Sequence, residues 1–372
     1  MNPIERLKAA LERRAPLLKS RHDDAYRLVH GEGDGLAGVV IDRFGEVLVA
    51  QVHEGRCELD EAALREVAEA ARVAVGAKAV YRKTFPKDRS GGTAATVETA
   101  HRDPTAWVGE SVGEAVIAIE NDLRYEIRPY DGFSVGLFCE QRLNRKRVRE
   151  MFLPPRVKGR DDGSREDDAA AAEGSAGEEA GAESGAARDE GEAQKREANA
   201  DAPRVLNLFA YTCAFSVAAA SAGAVTASVD VSKRFLEWGK RNFALNNLAL
   251  DAHRFYADDV MDYFKRANKK LERFDLIIAD PPTFARAREG GRVFALPDAW
   301  PALLSGCVSL LAPRGQILIC TNHRATARRT LERMMLDVAG RRSCRVVMRP
   351  SLPIDFPGDP DFAKSILVQL DA

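Results

Sequence analysis

The chain of 372 residues is 45% hydrophobic and 30% charged, which excludes a lone small module and a disordered chain and points to two folded units. No window approaches the run of about eighteen apolar residues that a membrane span needs. The opening MNPIERLKAALERRAPLLKS is a charged amphipathic helix without the apolar core and cleavage site of a signal peptide, so a soluble cytosolic protein is expected. Cys57, Cys139, Cys213, Cys307, Cys320 and Cys344 form no CxxC pair. That spacing argues for reduced, mostly buried thiols and against a structural zinc or disulfide framework.

The net charge of -1 averages two unlike parts. Residues 161–202 hold 14 Asp and Glu against 4 Lys and Arg and contain no Val, Leu, Ile, Met, Phe, Tyr or Trp. Such a segment cannot bury enough surface to offset its ordering entropy, and an acidic disordered insert is predicted over 156–203. Without the ten surplus acids of 161–202 the remaining 330 residues carry +9, which suits a polyanionic partner.

In chain order, an amphipathic helix occupies 1–24. A small α+β domain follows over 25–135. In it AYRLVHGEGDGLAGVVIDRFGEVLVAQVHEG supplies two strand-rich runs, LDEAALREVAEAARVAV a helix, AKAVYRKT a strand, and AVIAIENDLRYEI two shorter strands. Gly33, Gly35 and Gly38 spell GxGxxG, but β-branched alternation follows where a dinucleotide fingerprint needs a helix, so they are read as turn glycines. A basic helix from about Glu140 to Phe152 forms the connection 136–155. From 204 to 372 the apolar runs VLNLFAY, VTASVDV, FDLIIAD and GQILICT alternate with helical stretches, the pattern of a parallel sheet with right-handed crossovers. CRVVMRPSLPID and FAKSILVQLDA add a C-terminal antiparallel pair at its edge. The fold class is thus α/β, a Rossmann-like, mostly parallel sheet preceded by a smaller α+β domain.

Ligands of open parallel sheets bind beyond the carboxyl ends of the strands. Asn207, Asp230, Asp258 and Asp280 fall at four successive strand ends. An acid at the second can accept both hydroxyls of a ribose, and one at the third can accept from an adenine amino group. Each aspartate alone reads first as a helix N-cap, and together they describe an adenosine-containing ligand.

The ordered set LNLFAYT, VDVSKRFLEWGKRNFALNNL and DPPTF, with YRLVHGEGDGLAGVVIDRFGEVLVAQV and GLFCEQRLNRKRV upstream, resembles class I S-adenosylmethionine-dependent methyltransferases. Within them it is most similar to the bacterial 23S ribosomal RNA enzymes that modify cytosine C5 or guanine N7. The resemblance implies S-adenosylmethionine as cofactor, with Asn207 and Phe209 under its methionine part, Asp230 on the ribose and Asp258 on the adenine. It places Asp280 beside the transferring methyl and has Gln141 and Arg142 closing over the cofactor. Tyr211 and Ser232 complete the cofactor set. That branch usually has glycine where this chain has Cys213. With roughly twenty-four residues before AYRLVHG, neither the PUA nor the THUMP module of some relatives is expected.

Cytosine C5 becomes nucleophilic only after a cysteine thiolate adds at C6. The C5 enzymes of the branch place that cysteine beyond the fifth strand in Thr-Cys-Ser or Ser-Cys-Ser. In ILICTNHR, Cys320 stands one position early and Thr321 takes the nucleophile's place, which reads Cys320 as core. Guanine N7 needs only positioning, which Asp280, the Pro281-Pro282 turn and a stacking Phe284 would supply, and CTNH resembles the Ser-Asn-Asn of the guanine-N7 members, with Asn322 able to read a base edge. The DPPY-type motif of exocyclic-amine methylases has its aromatic residue one position earlier than DPPTF. Of the six histidines only His323 falls near the site, and it reads as a loop residue. The clusters QRLNRKRVRE, YRKTFPKDRS and NHRATARRT favour RNA as partner, and the resemblance implies that it is large-subunit ribosomal RNA. Two rivals from other classes are an RNA-binding protein with a degenerate cofactor fold, which Cys213 would favour, and a dehydrogenase of similar topology, which lacks its glycine fingerprint.

Replacing residues 161–202 by a short flexible linker should leave the thermal midpoint almost unchanged, because loop-closure entropy changes by only about 0.6 kcal/mol per halving of length. RNA affinity should rise or stay level. Loss of folding or of activity would show that the segment is a structured or docking element.

Overall fold

The computed structural model describes residues 2–87, 99–153, 201–285, 294–340 and 342–371. The acidic insert, apart from its last residues, lies outside them, as does the end of the YRKTFPKDRS cluster.

The first helix, α1 (Pro3–Arg13), starts at a capping box in which Asn2 and Glu5 satisfy each other's backbone N–H groups. It is part of the small domain, because Leu7 packs in one core with Leu28, Ile41, Leu64 and Val67. A short turn of helix, α2 (Ala15–Leu18), leads into a five-stranded sheet. Its strands β1 (Ala25–His30), β2 (Val39–Phe44), β3 (Val47–His53), β4 (Ala79–Phe85) and β5 (Val108–Gly109) lie side by side in chain order. Helix α3 (Glu61–Val75) makes the crossover between β3 and β4, which are parallel. It is capped by Asp60 and ends at Gly76 in the left-handed conformation.

The glycines of the GEGDG turn act as turn residues with a second duty. Gly35 and Gly38 both have φ of +71°, and a Cβ on Gly33 would sit 2.0 Å from the carbonyl oxygen of Pro357, so chain segments 324 positions apart touch backbone to backbone.

The hairpin β6 (Val116–Glu120) and β7 (Leu123–Ile127), within the stretch 25–135, forms a sheet of its own. Its Ala118, Tyr125 and Ile127 share a core with Phe44 and Val47 of the small domain and with Ala214, Val217 and Phe243 of the second domain. The hairpin is therefore a layer between the two units.

After α4 (Arg142–Phe152), the second domain has a seven-stranded sheet. Its strands are β8 (Arg204–Leu208), β9 (Val225–Asp230), β10 (Arg254–Ala257), β11 (Phe274–Ala279), β14 (Leu311–Thr321), β15 (Cys344–Met348) and β16 (Lys364–Leu370). The order is β10-β9-β8-β11-β14-β16-β15, parallel from β10 to β14 and antiparallel at β16 and β15. The two-residue strands β12 (Phe284–Ala285) and β13 (Phe294–Ala295) pair separately. Helices α5 (Ala214–Ala220), α6 (Lys233–Leu245), α7 (Val260–Lys269) and α8 (Leu296–Ser309) match the expected stretches. A further helix, α9 (Arg328–Ala339), was not expected, although Leu331, Met335 and Ala339 recur at helical spacing and are buried.

Between β15 and β16 the chain returns to the small domain. Asp355, fully buried, accepts two hydrogen bonds from Arg142 at 2.6 and 3.0 Å and one from the backbone N–H of Arg27 at 2.9 Å. Its carbonyl accepts from Arg14 at 2.9 Å, and Arg14 in turn pairs with Asp34. Phe356 and Phe362 close over His30 and the Arg27 guanidinium. Asp355→Ala leaves a buried guanidinium without its partner and should cost about 3–5 kcal/mol in denaturant unfolding. A loss below about 1 kcal/mol would mean that the interface does not depend on it.

Candidate active site

The strand registers bring the expected residues into one row. Leu208 of β8 lies opposite Val229 of β9 and Ala279 of β11, Asp230 lies opposite Ala257 of β10, and Ala279 lies opposite Ile319 of β14. Phe209, Asp230, Asp258, Asp280 and Cys320 therefore sit side by side where the central strands end.

The loop after β8 is the most strained backbone in the row. Phe209, Tyr211 and Cys213 have φ of +57°, +49° and +60°, conformations that cost a non-glycine residue free energy and cluster at functional sites. The loop is held in several ways. The Tyr211 N–H donates to Asp230 at 2.8 Å, the Thr212 hydroxyl donates to the Gly136 carbonyl at 2.6 Å, and Asn242 donates to the Thr212 carbonyl at 2.9 Å. Asn207 is buried and donates to Ser216 at 2.9 Å, tying β8 to α5. Cys213 has the left-handed conformation that glycine takes freely, and its Sγ fills the space beside Gly239, where a Cβ would come within 2.4 Å of it. The loop thus keeps a glycine-type path despite the cysteine.

Asp230 accepts from the N–H groups of Tyr211 and Ser232, both at 2.8 Å, and burial raises its carboxyl above the usual range. Ser232 caps α6 through the N–H of Phe235. Capping of α7 falls to Asp259, whereas Asp258 pairs with Arg266 at 2.6 Å. The N-cap reading therefore applies to the neighbour, and Asp258 stays at the strand end.

Asp280 lies where α4 meets the strand row. Gln141, immediately before α4, donates to its carboxylate at 3.1 Å. Loss of water around it, with the Glu140 carboxylate close by, pushes its pKa up to about 7 against the opposing influence of Arg145 and of the Gln141 hydrogen bond. Arg142 requires a correction. Its guanidinium turns away from the strand ends to Asp355, because a buried arginine needs a buried carboxylate, and it does not close over the cofactor position. Pro281 is buried and Pro282 exposed. The backbone of Phe284 pairs with Ala295, and its side chain lies outside the described residues. Asn322 is exposed and its Oδ1 accepts from the Thr283 hydroxyl at 2.8 Å. His323 pairs with Thr326.

Cys320 and Thr321 are both fully buried. The Cys320 Sγ accepts from Ser365 at 3.4 Å, and burial pushes its thiol well above the usual range. Several basic side chains that argued for RNA are used internally. Arg145 pairs with Glu120, Arg82 with Glu61, and Lys83 donates to the Gly132 carbonyl. The exposed cations of the three clusters include Lys87, Lys146, Arg324 and Arg329.

Sequence reasoning missed Phe138, half-exposed and with its ring against Tyr211, and Asn144, which binds Gln141. In the QRLNR run Gln141 was singled out, while the charge around it obscured Asn144.

Residues 190–368 match the family described as S-adenosylmethionine-dependent methyltransferase. YwbD of Bacillus subtilis, provisionally named a ribosomal RNA large subunit methyltransferase, is 31% identical over 326 residues, covering 87% of this chain and 67% of its own. A ribosomal RNA large subunit methyltransferase of Deinococcus radiodurans is 29% identical over 379 residues, covering 98% of this chain and 78% of its own. The fold is that of SMU.776, provisionally named a methyltransferase and solved with SAH, at a TM-score of 0.73 and 24% identity, over 99% of this chain and 82% of that one. With 31% identity over 87% of the chain to a relative of which it covers two thirds, and with the family match over 190–368, the chain belongs to the class I S-adenosylmethionine-dependent methyltransferases.

Proposed function

We propose that the enzyme methylates a base of large-subunit ribosomal RNA, and that the acceptor is guanine N7. The naming of its relatives for that RNA supports the substrate class. The observation that carries the choice of atom is Cys320, which is sealed inside the sheet with its thiol protonated, while Thr321 beside it is equally buried. Addition at cytosine C6 needs a thiolate that can reach the ring, and this strand end offers none.

The donor set fits the cofactor. Asp230 is oriented by two backbone N–H groups and keeps lone pairs on both oxygens for a ribose diol. Phe209 and the strained loop would lie under the methionine part, Tyr211 and Ser232 would frame the ribose, and Asp258 would face the adenine. When bound, the cofactor supplies an electrophilic methyl on a sulfonium. Guanine N7 has a free lone pair and loses no proton on methylation, but its ring becomes cationic. Asp280 as a carboxylate would stabilise that charge. Asn322, whose carbonyl is occupied by Thr283, has its N–H groups left to donate to guanine O6 beside N7.

Asp230→Ala should weaken S-adenosylmethionine binding at least about tenfold in calorimetry, since each charge-assisted bond lost contributes about 1.5–3 kcal/mol. Unchanged affinity would remove Asp230 from the site. Cys320→Ala should cost roughly 1 kcal/mol of stability and keep most turnover, whereas Asp280→Ala and Asn322→Ala should lower turnover strongly at near-normal cofactor affinity. A covalent adduct with 5-fluorocytosine RNA that vanishes in Cys320→Ala would establish the cytosine reaction instead.

A further inference from the structure

Gln141 can present either end of its amide to Asp280. If its Oε1 faced the carboxylate, two acceptors would meet unless Asp280 were protonated, so the direction of this amide is linked to the charge of the acid. In the structure the N–H end points to Asp280, at 3.1 Å, and the Oε1 end accepts from Asn144 Nδ2 at 2.6 Å. Asn144 is three residues along the first turn of α4, the spacing at which helical side chains meet. Its Nδ2 also donates to the hydroxyl of Ser365 on β16 at 2.8 Å, and that hydroxyl donates to Cys320. Both Asn144 N–H groups are thereby used, while its Oδ1 is buried without a hydrogen-bond partner, a cost usually avoided in a protein interior. Turning the Asn144 amide over would give Oδ1 a donor in Ser365, yet it would set Oδ1 against Gln141 Oε1.

We propose that Asn144 is a positioning residue that, anchored by Ser365, holds the Gln141 amide with its N–H toward Asp280 and so keeps Asp280 charged during methyl transfer. The inference rests on the placement of Asp280 beside the reacting centre proposed above. The charged and titratable groups facing Asp280 are Glu140, which opposes its ionisation, Arg145, which favours it, and Cys320 across β14, whose thiol stays protonated. Substituting Asn144 leaves Glu140 and Arg145 unaltered and removes only a long 3.7 Å contact from its Nδ2 to the Cys320 Sγ, so the amide pair can be tested separately.

The test is the pH profile of single-turnover methylation with saturating S-adenosylmethionine and RNA, on the full-length enzyme. The wild type should show an ascending limb with a midpoint near that of Asp280, about 7. Asn144→Leu is close in size and uncharged, and it leaves Gln141 free to turn. The carboxylate then loses its fixed donor and its pKa rises. The limb should move up by about half to one pH unit, which lowers the rate on the acid side about three- to tenfold and restores it at high pH to within about twofold. Ser365→Ala should move the limb in the same direction by less, and it serves as the readout if Asn144→Leu does not fold. A rate lowered equally at every pH, with the midpoint unmoved in both variants, would overturn the proposal. Asp280→Asn separates the two readings: wild-type turnover in that variant would reject Asp280 as a site residue, whereas loss of turnover and of the limb, with the Asn144 and Ser365 variants unshifted, would reject only the role of Asn144.

Discussion

The buried carboxylate of Asp355 is the point on which the arrangement of the two domains depends. An arginine and a carboxylate removed from water are stable only when each satisfies the other, and Arg142 satisfies Asp355 with two hydrogen bonds while β1 adds a third through its backbone. One side chain from the last strand connection thereby fixes both the small sheet and the start of α4. The close approach of Gly33 to Pro357 admits no side chain between them, so the contact holds one geometry. Because Gln141 stands immediately before α4, the ion pair that joins the domains sets the position of the amide that meets Asp280.

The polar groups of this region divide into two sets with different tasks. The pairs Arg14 with Asp34, Arg27 with Asp42, Arg142 with Asp355 and Arg145 with Glu120 are buried and mutually satisfied, and they hold elements together. Asp230 and Asp280 lie at strand ends without a cation bonded to them and are held instead by neutral donors, backbone N–H groups for one and a side-chain amide for the other. A carboxylate held that way retains charge that a ligand can use. It also pays for burial with a raised pKa, which for Asp280 places titration in the neutral range.

Much of the site was legible because a parallel sheet maps sequence order onto spatial order. Apolar runs ending in Asp230, Asp258 and Asp280 had to bring those ends together once the runs became adjacent strands. Cys320 was readable as core for a similar reason, since neighbours on a strand face opposite ways. The misreadings came from charge. Arg142 and Arg145 look identical in sequence to exposed RNA-binding arginines, and nothing local reveals that Asp355, 213 positions away, and Glu120 take them up. The hairpin at 116–127 lies in the chain stretch of the small domain, and only the folded structure shows that α5 and α6 join β2 and β3 in covering its buried face.

The sequence by itself determined the strands and helices apart from α9, their α/β order and the row of acids at the strand ends, because each follows from local periodicity and from a topology that right-handed crossovers restrict. Tertiary structure alone decided which charges are spent inside the protein, where the domains meet, and which end of Gln141 faces Asp280. Those outcomes depend on partners distant in sequence, and a hydrogen bond's direction or an ion pair's burial exists only once both partners have been brought into contact.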